Sequence, residues 1–532
     1  MEERKNKNFI EQIIESDIES GKHTTIHTRF PPEPNGFLHV GHCKAICLNF
    51  ELAKQYGGIT NLRFDDTNPT TEDKTYVEAI KNDIKWLGYD WEDRLFYASD
   101  YFQELYDMAV KLIEKGLAYV DDSTPEEIAE EKGTTTEPGK NGKYRDRSIA
   151  ENLDLFRKMK EGAFPDGSKV LRAKIDMAHP NLLMRDPLMY RIKKENHHRT
   201  GDAWCIYPLY DFTHGQSDAL EEITHSLCSL EFRHHRDLYD WFIENLELFP
   251  SRQIEFSRMN VEYMITSKRK LKKLVEGGLV SGWDDPRMST ISGMRRKGFP
   301  ASALRVFCDK VGLTKRENLI EFDLLESCVR DELNKVSTRV MVVSDPLLLT
   351  ITNYPDDQTE IMTGDNNPED ENAGTRDIPF SKRLYIERAD FMENAPKKYY
   401  RLSEGRNVRL KHAYIVHCVE AVKDNEGKVI EVKCTYYPDS KSGQDNSGIK
   451  SKGVLHWVDS EKCLPCEIRE YGHLFSVPDP TQDEEKDILD FFNKDSLSIN
   501  EKAVMEPFLK DMDSDTHLQF MRKGYYLSLI HI

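Results

Sequence analysis

The sequence predicts an α/β half followed by an all-β half, and two observations carry that prediction. Up to about residue 260, strand-like runs mostly alternate with helical runs, an order that builds parallel sheets with helical crossovers. Beyond Arg339, short alternating runs such as "RLYIERA", "NVRLKHAYIVHCVEAV" and "KVIEVKCTYYPD" are joined by Asp/Asn/Gly turns, the pattern of a sandwich or barrels. At 532 residues the chain outgrows a single hydrophobic core, so several domains are expected.

Each element follows from its residues. Positions 23–30 ("HTTIHTRF") read as a strand, followed by the Pro/Gly turn "PPEPNG" and a helix through "HCKAICLNFELAKQYG" that Gly57 and Gly58 stop. Positions 59–66 read as the next strand and 70–88 as a helix closed by Gly88. Phe102, Leu105, Ala109, Leu112 and Ile113 recur at helical spacing up to Gly116. In "TPEEIAEE", Thr124 is placed to cap a helix with Pro125 at its first position. The rhythm then loosens through "KGTTTEPGKNGKYRDRS" and resumes near Tyr210, so 101–210 reads as an insertion between 23–100 and 211–260, two halves of one nucleotide-binding domain. Positions 261–338 read as helical and 339–532 as β-rich.

Composition narrows the function classes. No apolar run approaches the roughly 20 residues of a membrane-spanning helix, and the first residues lack a secretory h-region. Ten scattered cysteines do not form a disulfide framework and point to a reducing cytoplasm. Cys463 and Cys466 make an isolated CxxC without the second pair a zinc site needs, so they read as core thiols and no zinc is expected. The net charge of −19 argues against a nucleic-acid partner on average, but local fields decide docking. Basic runs stand at 267–273, 295–297, 397–401 and 406–412, while acidic residues gather at 363–374 and 479–487.

Two features carry chemistry. In "TRFPPEPNGFLHVGHCKAICLNF", His39 and His42 sit three apart at the start of a helix, where unpaired amides favour anions. They read either as phosphate ligands or as satisfied structural histidines, since neither a GxxxxGK[ST] loop nor a GxGxxG after the first strand is present. In "MITSKRKL", Lys268 sits in a short polar loop from which an ammonium could neutralise a transferring phosphoryl group.

"HVGH" and "ITSKR" resemble the HIGH and KMSKS signatures of class I aminoacyl-tRNA synthetases. With "NLRFDDTNP", "YPLYDFTH", "THSLCSLEF" and "GWDDPRMSTISGMRRKG", nearly the whole chain is similar to the bacterial type of the glutaminyl-tRNA synthetase family. The resemblance implies a Rossmann-type catalytic domain with an acceptor-stem-binding insertion, a helical connecting domain and two anticodon-binding β-barrels. It implies glutamine activation by ATP, with Mg²⁺ carried on the nucleotide, and transfer to tRNA(Gln) by a cytoplasmic monomer without the eukaryotic N-terminal domain.

By the same resemblance, Glu33, Pro34, Asn35, His39, Val40, Gly41, His42, Cys43, Lys44, Ala45, Ser229, Arg258, Met259, Thr266, Ser267 and Lys268 line the ATP site. Thr266 stands where methionine is commoner. Asp65 and Tyr210 would hold glutamine, with Arg29, Cys228 and Gln253 near its side chain. Cys228 is neutral where glutamyl enzymes commonly carry arginine, which favours glutamine over glutamate. Thr135 occupies the apex that can carry a leucine wedge against the acceptor end, and Arg233, His234 and His235 replace the family's acidic contact. Arg339, Arg401, Arg409, Lys411, Gln519 and Arg522 match anticodon contacts, while Tyr400 replaces a basic residue. After Tyr526 the family's closing strand is missing, and "LSLIHI" stands in its place. The rival readings are a glutamyl enzyme of the same fold and a non-enzymatic RNA-binding paralogue.

Overall fold

Asn8 starts the first helix, α1 (Phe9–Glu19), by accepting from the amides of Ile10 and Glu11, while the Glu11 carboxylate accepts from the Asn8 amide. The sequence reading assigned no element there. Ile10 and Ile14 are fully buried in a core with Ile26, Leu52, Leu227, Ile254 and Phe256, so tertiary packing holds the helix. The computed structural model describes residues 7–70, 74–483 and 485–529. The chain divides into two compact units: Met1–Glu276, Ser289–Ser292 and Leu304–Glu321 form one, and Gly277–Met288, Gly293–Ala303 and Phe322–Ile532 form the other. No helix among the described residues is long and apolar enough to cross a membrane.

In the first unit, β1 (His27–Phe30), α2 (Val40–Gln55), β2 (Ile59–Phe64), α3 (Lys74–Trp86) and β3 (Leu95–Tyr97) follow one another. The strands pair in parallel in the order β1-β2-β3. The two longer strands are shorter than expected, because β1 starts only at His27 and β2 ends at Phe64. That early end leaves Asp65 and Asp66 in a loop. Positions 71–73 of the expected helix lie outside the described residues.

The insertion packs α4 (Phe102–Glu114) on a four-stranded antiparallel sheet of β4 (Ala118–Asp121), β5 (Val170–Ala173), β6 (Leu188–Ile192) and β7 (Ile206–Pro208). All five apolar residues of the expected helical stripe enter its core. Thr124 caps its short helix as expected, with Pro125 in the first turn. Arg185 donates to the carbonyls of Lys132, Thr134 and Glu137 at 2.8, 2.9 and 2.9 Å, which braces the loop carrying exposed Thr135. After it, α5 (Tyr210–Leu220), β8 (His225–Ser229), α6 (Arg236–Leu246) and β9 (Arg252–Phe256) resume the parallel pattern, with β8 paired to β9. The Thr224 amide donates to the His27 carbonyl at 2.9 Å, which sets this half beside β1.

The stretch 261–338 is helical in the main (Lys268–Glu276, Ala301–Val311 and Phe322–Val336 among its helices), but its residues are shared between the two units. In the second unit a seven-stranded sheet runs in the order Val454–Leu455, Asn407–Leu410, Ile415–Lys423, Val429–Tyr436, Pro346–Ile351, Arg383–Glu387 and Trp457–Asp459. Its two edge strands are separated only by His456, so the sheet must curl upon itself into a near-barrel around Trp457 and Phe380. A second core gathers Val340, Val342, Ile468, Ala503, Met505 and Leu518 under two three-stranded sheets. Cys463 packs against the first core and Cys466 against the second, so the CxxC spans two cores. Gly524–Leu527 pairs with His517–Phe520, and 530–532 lie outside the described residues.

Candidate active site

The turn 31–36 and the loop after β2 meet at the carboxyl ends of the parallel strands, where the Asp65 amide donates to the Pro32 carbonyl at 3.0 Å. The next residues start α2 in an uncommon way. His39 is its N-cap, with Nδ1 accepting from the Gly41 amide at 3.2 Å, and His42 Nδ1 accepts from the His39 amide at 3.1 Å. Both rings therefore use Nδ1 as an acceptor, so the neutral tautomer carries its proton on Nε2 and keeps that donor for another partner. The rings lie 3.8 Å apart. A Cβ on Gly41 would come 3.1 Å from the His39 ring, so the glycine allows the fold-back. Burial and the nearby Lys268 charge depress His39 to about 3, and burial and His39 hold His42 well below the ordinary value. Both imidazoles are neutral donors at physiological pH.

Lys268 completes this corner. Its ammonium donates to Asn35 Oδ1, and its side chain passes the turn where a Cβ on Gly36 would lie 3.1 Å from its Cδ. Burial lowers its pKa, with Glu33 opposing. Ser289–Ser292 pins the corner through Val40 N–H to the Ser289 carbonyl at 3.0 Å.

Beside it a cleft of about 190 Å³ is lined by Glu33, Asn35, Asp65, Asn68, Arg191 and Tyr210, among others. Burial, reinforced by Glu33, pushes the Asp65 carboxyl up to about 7, against the hydrogen bond from Thr67. The Tyr210 hydroxyl meets His214 Nδ1 at 3.0 Å. Arg191, on β6, was missed by sequence reasoning. Its Nη2 donates to Asn68 at 3.2 Å and its buried Nε has no partner among the described residues, yet no local motif marks it.

Several other expected residues are held by partners within the protein. Arg29 is fully buried, donating through Nε to Asp218 at 2.9 Å and Nη1 to the Leu227 carbonyl at 2.7 Å, with Nη2 against His214. Arg29 and the Tyr210 hydroxyl thus meet opposite nitrogens of His214, and Asp218 also pairs with Arg63. Val40, Cys43, Lys44 and Met259 turn their side chains inward, Lys44 donating to the Ser257 carbonyl at 3.0 Å, so they offer the site main-chain atoms. Gln253 donates to the Phe232 carbonyl and Glu255, both at 2.9 Å, and its buried Oε1 has no partner among the described residues. Cys228 is partly buried, and burial raises its thiol to about 12. Ser229 donates to Glu231 at 2.7 Å, and Glu231 also pairs with Arg258.

In the second unit, Arg339 and Gln519 are register partners on adjacent parallel strands. Arg401 and Arg522 share Asp390, which Arg522 grips through two bonds of 2.6 and 2.8 Å. Arg409 donates to the Ser440 carbonyl at 2.7 Å and pairs with Asp445 two residues before Lys411, and Tyr400 is exposed.

Comparisons with known proteins agree with this layout. Residues 25–335 match tRNA synthetases class I (E and Q), catalytic domain, and residues 337–437 and 454–528 match two anticodon-binding domains of the same group. The chain is 54% identical over 520 residues to a glutamine–tRNA ligase of Clostridium perfringens, covering 98% of this chain and 94% of that protein. It is 52% identical to one of Pseudomonas syringae pv. tomato (98% and 91% covered) and 54% identical to one of Citrobacter koseri (98% and 93%).

Proposed function

Because the chain belongs to the class I tRNA synthetases of the glutamate and glutamine group, we propose that it joins L-glutamine to tRNA(Gln) at the expense of ATP. The observation that carries the reading is the meeting of Lys268 with the turn before the His39–His42 pair. Three donors there face the place where a triphosphate would lie at the start of α2. The glutamine carboxylate attacks the α-phosphorus, diphosphate leaves, and the tRNA's terminal ribose hydroxyl then takes the glutaminyl group from the adenylate. A carboxylate nucleophile needs no strong base, so positioning and charge neutralisation do the work. With each Nδ1 accepting a backbone amide, neither imidazole has a lone pair free for a metal, which fits Mg²⁺ arriving on the nucleotide.

Asp65 and Tyr210 are the proposed anchors of the glutamine ammonium, with Cys228 and Gln253 near its side chain. Arg29 is paired with Asp218, so its charge is already matched before a glutamate side chain could reach Cys228. The exposed loop at Thr135 is the proposed contact to the acceptor end. Arg339, Arg401, Arg409, Lys411, Gln519 and Arg522 are the proposed anticodon contacts. Ten cysteines, none of them in a disulfide among the described residues, suit a cytoplasmic protein, which we take to act as a monomer.

The test is ATP–pyrophosphate exchange with glutamine or glutamate, with and without cognate tRNA. Glutamine-dependent exchange is expected. Exchange with glutamate alone would assign the glutamyl reaction, and none with tRNA present would leave an RNA-binding protein.

A further inference from the structure

Three thiols meet behind the helix that presents the imidazoles. Cys43 and Cys47 stand one turn apart on α2, and Cys308 comes from the helix Ala301–Val311. Their Sγ atoms all lie within 4.8 Å of one another, with Cys43 and Cys308 at 3.7 Å. Cys43 is fully buried, and Cys47 and Cys308 keep only 6% and 8% exposure.

Three sulfurs bound to one ion at about 2.3 Å in a trigonal plane stand about 4.0 Å apart, so this cluster is close to a ligand set as it is. A disulfide would need two sulfurs at about 2.05 Å and would leave the third aside. Structural zinc takes four ligands, and among the described residues no fourth His, Cys, Asp or Glu joins this group. Magnesium and calcium want oxygen. A soft ion content with three thiolates is Cu(I). The Lys44 ammonium lies near Cys308 and the Arg305 guanidinium near Cys47, so both would offset part of the negative charge of the loaded site.

We propose that Cys43, Cys47 and Cys308 form a trigonal thiolate site for Cu(I) that ties α2 to the helix Ala301–Val311. Binding makes three Cu–S bonds and releases the three thiol protons to solvent, with no change of oxidation state.

The reduced full chain is titrated anaerobically with Cu(I) against bicinchoninate, and X-ray absorption is recorded on the complex at one equivalent. One Cu(I) should leave the chelator for a site of three sulfurs at about 2.3 Å. Cys308→Ser should weaken binding by more than the roughly 10–100-fold cost of losing an outer-shell contact. A Cys463→Ser/Cys466→Ser variant should bind like the parent. The coordination number is read on the unaltered protein, so misfolding of a core variant cannot imitate the result. Two-sulfur coordination, equal affinity in Cys308→Ser, or failure to hold copper against the chelator would each overturn the proposal.

Discussion

Lys268 donates its ammonium to the side-chain oxygen of Asn35, 233 positions earlier in the chain. That bond places a cation over the turn that leads into the imidazole pair. Lys268→Met should lower the rate of pyrophosphate exchange by about 10²–10³-fold, the cost of removing one preorganised donor. Exchange within a few-fold of the parent would remove the ammonium from the activation step.

His39 has two duties that a substitution can separate. Its Nδ1 caps α2, and its Nε2–H is the proposed donor to phosphate. His39→Ala should cost about 1 kcal/mol in thermal or urea unfolding through loss of the cap. His39→Asn should recover much of that stability but little of the exchange rate. Recovery of both would make the residue purely structural.

The titration of Asp65 gives a pH signature. Its folded pKa, raised to about 7 from 3.8, means that the folded chain holds this proton more tightly than the unfolded one. Its contribution to stability is therefore present at low pH and lost as pH rises from about 4 to about 7. Substrate ammonium needs the carboxylate, so the KM for glutamine should rise as pH falls below about 7, towards tenfold per unit. Asp65→Asn should raise that KM throughout and flatten its pH profile; an unchanged slope would assign the titration to another group. The depressed pKa values of the imidazoles predict no histidine step in the ATP KM between about pH 6 and 8.

Cys228 lies near both Arg29 and Glu255, and Arg29 is already neutralised by Asp218. Cys228→Arg should lower kcat/KM for glutamine by at least about tenfold, since a second guanidinium displaces packing and asks for an anion. Measured discrimination between glutamine and glutamate equal to the parent's would take the residue out of specificity.

Arg522 holds Asp390, which is 2% exposed, through both guanidinium nitrogens. Arg522→Ala should raise the KM for tRNA while leaving tRNA-independent ATP binding, followed by calorimetry, at its parent value. Because it uncovers a buried carboxylate, it should also lower the free energy of unfolding by about 3 kcal/mol or less. Loss of stability with an unchanged tRNA KM would make the residue a brace alone.

Much of this was legible before the fold. Gly57, Gly88 and Gly116 ended helices where the pattern said they would, and Thr124 with Pro125 began one, because capping and turn chemistry act within a few residues. Helix α1 was not legible, since its short stripe gains its meaning only against Leu227 and Ile254. The pairing of Arg29 with Asp218, 189 residues later, was not legible either, since nothing local announces it. Arg191 escaped for the same reason, as a lone arginine on an insertion strand has no local signature.

The order of residues by itself determined the alternation of strands and helices, the capped imidazole pair and the identities of the polar groups, all properties of neighbours along the chain. The tertiary structure alone decided which groups meet: Lys268 with Asn35, Arg29 with Asp218, three thiols behind α2, and a sheet whose edge strands flank His456. Such meetings depend on burial, which costs an unpaired charge so much that partners are found wherever the packed core brings them.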